Sequence, residues 1–238
     1  MIIKTDPFFH VVIDNFFPEE VAHQLSNDFL DYDDSKWYCF DNPIENKKIC
    51  NNWNIFPKTT YTEITRLLSN KFVEELKKIT GIDPIYPDIG LLGSGWHMHG
   101  RGGKLNVHRD YVIHPKIKLS RKLNLIVYLT PNWNPEWGGA LEIWSHNSET
   151  DKPKECVSKI DCLFNRAIIF DTAQNSWHGL PNALTCPDNV YRKSIALYYL
   201  TDITGNEEQR FRAQFVPSKD QINDKSIEEF CEQRSKLY

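Results

Sequence analysis

The chain has 238 residues, 40% of them hydrophobic and 25% charged, and a formal net charge of -4 at pH 7. That length holds one large domain or two small ones with a substantial buried core, and the acidic balance excludes a general affinity for nucleic acid or an anionic membrane surface. No run approaches the roughly 18 apolar residues of a membrane-spanning helix, and the opening Met-Ile-Ile-Lys-Thr-Asp-Pro lacks the apolar segment and cleavage site of a secretory signal. A cytoplasmic protein with no membrane partner is expected. Its six cysteines are scattered and lack Cys-x-x-Cys spacing, which predicts free, mostly buried thiols.

Residues 8–13, Phe-Phe-His-Val-Val-Ile, read as a short apolar strand. Asn-Phe-Phe-Pro-Glu-Glu follows, with proline at the first helical position and acids in the first turn, and Val21, Ala22, Leu25 and Phe29 continue at helical spacing over about 18–30. The segment 31–58 has no clean period, yet carries Trp37, Tyr38, Phe40, Trp53 and Phe56. Such a stretch is either a lid or binding loop, or a loop whose rings pack onto the core. Thr60-x-x-Glu63 reads as a capping box opening a helix through Ile64, Leu67, Leu68, Phe72, Leu76 and Ile79, which Gly81 stops.

From Ile82 to about Thr201 the texture changes to short β-branched and aromatic runs separated by Gly, Pro, Asn and Asp turns. The clearest strand is Arg121–Thr130, with Leu123, Leu125, Val127 and Leu129 on one face and Asn124, Ile126 and Tyr128 on the other. Further strands are expected at about 139–145, 162–170 and 191–200, and a surface helix at 224–235. Helices first and then many short strands predict a mainly β, α+β protein: a sandwich or barrel with supporting helices.

His108 and Asp110, in Leu-Asn-Val-His-Arg-Asp, lie two residues apart, so on a strand both point to one face. Downstream, His178 sits just past the turn that ends the apolar strand Ile-Ile-Phe. Two histidines and a carboxylate form the set that binds one face of a non-haem Fe(II). Arg192 and Ser194 share a strand face further on. An arginine pointing into a barrel is costly unless it meets an anion, and its planar fork suits a carboxylate. A dicarboxylate that chelates iron at one end and meets Arg192 at the other satisfies every part. Lys193 points the other way in this register.

With these motifs in order, the chain resembles the Fe(II)- and 2-oxoglutarate-dependent oxygenases, in the prolyl 4-hydroxylase-like branch. The resemblance covers about residues 8–202 and rests on six elements. They are Phe-Phe-Pro-Glu-Glu, Leu-Asn-Val-His-Arg-Asp, Leu-Asn-Leu-Ile-Val-Tyr-Leu-Thr, Trp-Gly-Gly-Ala-Leu-Glu-Ile-Trp, Arg-Ala-Ile-Ile-Phe-Asp with Ser-Trp-His-Gly, and Arg-Lys-Ser. It implies a double-stranded β-helix, or jelly roll, with N-terminal helices packed on one sheet. It also implies a single oxygenase domain over 1–238: strand and helices to 81, a jelly-roll core at 82–202 and a helical tail at 203–238. His108, Asp110 and His178 are then the iron ligands, and Arg192 and Ser194 hold 2-oxoglutarate with Tyr128, Asn124 and His99, the last where relatives often place a tyrosine.

Tyr111, Arg121, Trp144 and Trp177 flank the site in sequence and are candidates to touch substrate or to serve in packing. The implied reaction uses Fe(II), 2-oxoglutarate and O2 to hydroxylate a prolyl residue of a peptide or protein, with a free amino acid, sugar or other small metabolite as the alternative. The sequence leaves two other readings open: a cupin-like or zinc hydrolase site at His97, His99 and His108, and a non-catalytic jelly-roll binding module.

Overall fold

Alternation in the strands and 3.6-residue periodicity in the helices sort the side chains into layers. The computed structural model describes residues 1–172, 175–205 and 210–236. In chain order these form β1 (Ile2–Lys4), β2 (His10–Ile13), α1 (Glu19–Asn27), β3 (Tyr38–Asn42), β4 (Glu45–Cys50), α2 (Lys58–Leu67), α3 (Asn70–Thr80), β5 (Tyr86–Pro87) and β6 (Gly95–His99). There follow β7 (Lys104–Arg109), β8 (Ser120–Tyr128), β9 (Leu141–Asn147), β10 (Lys152–Ile160), β11 (Ala167–Asp171), β12 (Trp177–Leu180), β13 (Arg192–Thr201), β14 (Gln214–Phe215) and α4 (Lys225–Ser235). Among them no helix is long and apolar enough to cross a membrane.

The strands are antiparallel and run in the order β1-β2-β11-β8-β13-β6-β4-β7-β12-β9-β10. The path is a double-stranded β-helix: β2, β11, β8, β13 and β6 make one sheet, and β7, β12, β9 and β10 make the other. Across the interior, Phe170 on β11 meets the ring of His178 on β12 at 4.7 Å, and one apolar cluster joins Tyr128, Ile168 and Phe170 to Leu141 and Ile143. The opposite face of the first sheet, with Leu123, Leu125, Val127, Ile195 and Leu197, packs with Leu25 of α1, Ile64 and Leu67 of α2 and Leu76 of α3. The alternation expected of the Arg121–Thr130 strand is therefore present, its odd residues meeting the helices and its even residues the interior.

Several local expectations fail for identifiable reasons. The helix over 60–80 is two helices: Leu68 leaves helical geometry, and Ser69 caps α3 by accepting from the Phe72 N–H at 3.4 Å. The Thr60 capping box does not form, because Pro57 precedes α2 and the Thr60 hydroxyl instead donates to Asp28 at 2.9 Å, tying α2 to the end of α1. Gly81 does end α3, at φ 70° in the left-handed region. Pro18 is the N-cap of α1 rather than its first helical residue.

Segment 31–58 contains the hairpin β3–β4, and β4 bridges the two sheets by pairing Lys48–Cys50 with β6 and Glu45–Asn46 with β7. Of its aromatics, Trp37 and Phe56 are buried against Trp96, while Tyr38 is exposed. Strand β10 also goes unread in the sequence, since Lys-Pro-Lys-Glu has the charged composition of an edge strand. All six thiols are free, and four of them are buried.

Candidate metal and cosubstrate site

Strand pairing sets His108 of β7 directly opposite His178 of β12, both facing the interior. Each ring is oriented by its own chain: Nδ1–H donates to a carbonyl two residues back, Asn106 O at 2.9 Å and Ser176 O at 2.8 Å. That tautomer leaves both Nε2 lone pairs inward, each 3.9 Å from an oxygen of Asp110. One donor atom from each of the three residues lies within 4.8 Å of the others, and all three residues are buried.

Burial lowers the pKa of both imidazoles, that of His108 to about 3, so they are neutral donors at ordinary pH. Burial alone would raise the Asp110 pKa, but His178, Arg121, His108 and the Tyr198 hydroxyl outweigh it and hold the carboxyl below its ordinary value. Two neutral imidazoles and a carboxylate are the donor set for a divalent first-row metal. Among the described residues this is the one such cluster, so the structure assembles no metal site from His97, His99 and His108.

The carboxylate is held from behind. Tyr198 donates its hydroxyl to both Asp110 oxygens, at 3.3 and 3.2 Å, and Arg121 lies 3.7 Å from Oδ1. The Arg121 guanidinium is sandwiched between the Tyr111 ring at 3.6 Å and the Tyr198 ring at 3.4 Å. Although it follows an exposed lysine-bearing loop in sequence, Arg121 is 2% exposed, and with Tyr111 it braces the acid. The C-terminal tail adds two contacts. Phe215 stacks on His108 at 4.8 Å with an interplanar angle of 18°, and Arg210 donates through Nε to the Asp110 carbonyl at 2.6 Å. The aromatics of this charged tail, Phe215 among them, are the signal the sequence offers.

Trp144 and Trp177 do not reach this interior. They pair with one another one residue away from Ile143 and His178, and so lie on the outer face of the second sheet. There the Trp177 indole N–H donates to His146 at 3.1 Å beneath the Arg109 guanidinium.

The first sheet supplies the other corner. Arg192 is 3% exposed. It donates Nε to the Gly139 carbonyl at 2.8 Å and lies 4.7 Å over the Tyr128 ring, and no ion pair to a carboxylate forms among the described residues. Ser194 stands opposite Tyr128 on β8 and His97 on β6, and Arg192 stands opposite His99. The Tyr128 hydroxyl, the Asn124 Oδ1 and both nitrogens of His99 are buried without a hydrogen-bond partner. Arg192 thus presents a charged fork beside the unpaired Tyr128 hydroxyl and His99 ring, an arrangement whose chemistry suits an anion. Lys193 points to the opposite face, where Nζ donates to Ser26 O at 2.9 Å.

Gly139 has φ +81°, and a Cβ there would stand 2.9 Å from Arg192 Cδ. Gly139→Ala is therefore expected to dislodge the Arg192 fork, which shows as a weakened apparent affinity for 2-oxoglutarate in a titration of activity. An unchanged affinity would mean the fork does not need this carbonyl.

His97, half-buried, and His108, buried, also set a pH dependence. His97 is lowered to about 3 by burial and then by the positive charge of Lys47, and His108 stands at about the same value. Unfolded histidine takes up its proton near 6.5. Between those limits the unfolded chain binds more protons, so stability rises with pH and is lost as pH falls from about 6.5 towards 3. Urea midpoints of the metal-free protein should drop between about pH 7 and about pH 5, and His97→Gln should flatten that slope.

A family model described as the 2OG-Fe(II) oxygenase superfamily matches residues 94–200. The mouse (Mus musculus) protein named prolyl 3-hydroxylase OGFOD1 is 25% identical over 204 residues, 83% of this chain and 33% of that one, so the chain spans about a third of this relative's length. Among solved structures, a Pseudomonas putida prolyl-4-hydroxylase superposes with a TM-score of 0.54 at 13% identity, over 81% of this chain and 92% of that one. A Trichoplax adhaerens prolyl hydroxylase, solved with a hypoxia inducible factor peptide fragment, gives 0.54 at 19% identity, over 80% and 83%. HygX of Streptomyces hygroscopicus, solved with nickel, 2-oxoglutarate and hygromycin B, gives 0.51 at 13% identity, over 81% and 82%. These structural likenesses bear on the fold.

Proposed function

We propose that this chain, a member of the 2OG-Fe(II) oxygenase superfamily through residues 94–200, hydroxylates a prolyl residue in a peptide or protein. The observation that carries the chemistry is the buried His108, Asp110 and His178 cluster sharing one interior with the buried, carboxylate-free Arg192. The prolyl assignment draws its support from the mouse relative named a prolyl 3-hydroxylase and from the prolyl hydroxylases that share the fold. HygX, solved with hygromycin B, supports a small-molecule substrate as the second reading.

In this reading the donor set fits Fe(II), held by the Nε2 atoms of His108 and His178 and by Asp110. The orphaned groups fit 2-oxoglutarate, with Arg192 and Ser194 on its far carboxylate and Tyr128, Asn124 and His99 lining the pocket. Bound Fe(II), with 2-oxoglutarate and O2, supplies the oxidising power to place a hydroxyl on an unactivated C–H bond, with succinate and CO2 as co-products. The chain's own work is positional. Asn106 O and Ser176 O fix the imidazole tautomers, and Tyr198 and Arg121 keep Asp110 ionised and aimed. The apolar floor of Phe170, Ile168 and Ile143 keeps water from the reacting centre. No side chain acts as a general base.

The test is to incubate iron-loaded protein with 2-oxoglutarate and a panel of proline-containing peptides, reading succinate and peptide mass. A gain of one oxygen on a proline, with matching succinate, is the expected result. Substrate-stimulated succinate with oxygen placed on free amino acids or sugars, and none on peptides, would replace the prolyl reading with the small-molecule one.

A further inference from the structure

A second cavity lies outside the interior, on the back of the sheet that carries His108 and His178. It has a volume of about 540 Å³ and is bounded by the outer faces of β7, β9 and β10 on one side and by residues 216–222 and α4 on the other. A space of this size is within the range of ligand-binding clefts. Its floor is apolar and aromatic, with Val107, Trp144 and Val216, and its lining carries four lysines against two glutamates, in a chain whose net charge is -4.

The charges are not equivalent. Glu142 is buried and already satisfied: it pairs with Lys159 at 2.7 Å and accepts the Trp144 indole N–H at 3.1 Å. Lys152 and Lys154 on β10 and Lys219 on the facing wall are exposed, and none makes an ion pair among the described residues. An apolar floor under a rim on which three unpaired lysines outnumber one exposed acid, Glu228 of α4, complements a segment that alternates apolar and acidic side chains. The lysines are spaced along both walls rather than converging on a point, which suits an extended chain with several carboxylates better than one small anion.

We infer that this cleft is a docking site for an acidic, extended segment of a partner protein, separate from the oxygenase centre. The docked segment places an apolar side chain against Trp144 and Val107 and its carboxylates against Lys152, Lys154 and Lys219. The faces are distinct because Trp144 and Val107 point away from the interior to which Ile143 and His108 belong.

The experiment uses the full chain and a fluorescein-labelled peptide, Asp-Glu-Leu-Glu-Phe-Asp, read by anisotropy beside a Ser-for-Asp/Glu version of the same peptide. Saturable binding of the acidic peptide alone is expected. It should weaken about tenfold when Lys152, Lys154 and Lys219 are all changed to Glu, since three attractive rim charges become repulsive, and it should survive Arg192→Ala. Equal binding of the neutral peptide, or binding unmoved by the triple change, would overturn the docking site. Loss on Arg192→Ala would place the peptide in the oxygenase interior instead, and displacement by free glutamate at equal concentration would make the cleft a small-anion site. Because the rim lysines are exposed, the triple variant is expected to fold, which its thermal transition checks.

Discussion

Arg192→Ala weakens the apparent affinity for 2-oxoglutarate by about two to three and a half orders of magnitude, while Lys193→Ala leaves it unchanged. The size follows from burial: Arg192 is 3% exposed, and removing one partner of a buried, hydrogen-bonded charge pair costs about 3–5 kcal/mol, with 1.4 kcal/mol per tenfold in affinity. Arg192→Lys should fall between, because an ammonium keeps the charge but loses the planar fork. Lys193 is the internal control. Its Nζ serves Ser26 O on the helix-facing side, so its removal should lower stability by about 1 kcal/mol without touching the cosubstrate. Both variants are read by succinate release against 2-oxoglutarate concentration. The reverse ranking would mean that β13 is out of register by one residue.

His108→Ala abolishes stoichiometric Fe(II) binding, measured by competition with a chelating dye, because two donors remain where three were held. Phe215→Leu separates holding a ligand from being one. Leucine keeps an apolar body of similar bulk, so the stability change should stay under about 1.5 kcal/mol. The ring that keeps His108 in plane is lost, and affinity for the metal should fall about 10-fold, at the lower end for groups behind a ligand. If Phe215→Leu binds iron as the parent does, the tail packs against the site without tuning it.

How much was legible follows from which signals were local. His108 and Asp110 two residues apart, the alternation of β8 and β13, and an arginine with a serine on its face are all statements about a strand's period of two. They led to the triad and to Arg192 over Lys193, and the faces they predicted are the faces observed. The same rule would have sent Trp177 away from His178, since neighbouring strand residues face opposite ways. Proximity in sequence suggests contact with the site, but parity decides, and both tryptophans line the outer face.

Other features depend on distant partners. Hairpin β3–β4 is a strand pair only because β6 and β7 lie ready to bond it. Strand β10 is an edge whose lysines hide its period. The Arg121 environment is made by Tyr111 and Tyr198, residues 111 and 198 of the chain, and no local pattern joins them. Phe215 gained its place by pairing across from His108.

If one interior holds Fe(II) and 2-oxoglutarate together, an anaerobic titration shows it. Iron-loaded protein is mixed with 2-oxoglutarate and the visible metal-to-ligand charge-transfer absorbance is followed. A saturable band at one equivalent of iron is expected, absent in His178→Ala and needing far more cosubstrate in Arg192→Ala. Folded, iron-loaded protein that shows no band at any 2-oxoglutarate concentration would contradict it.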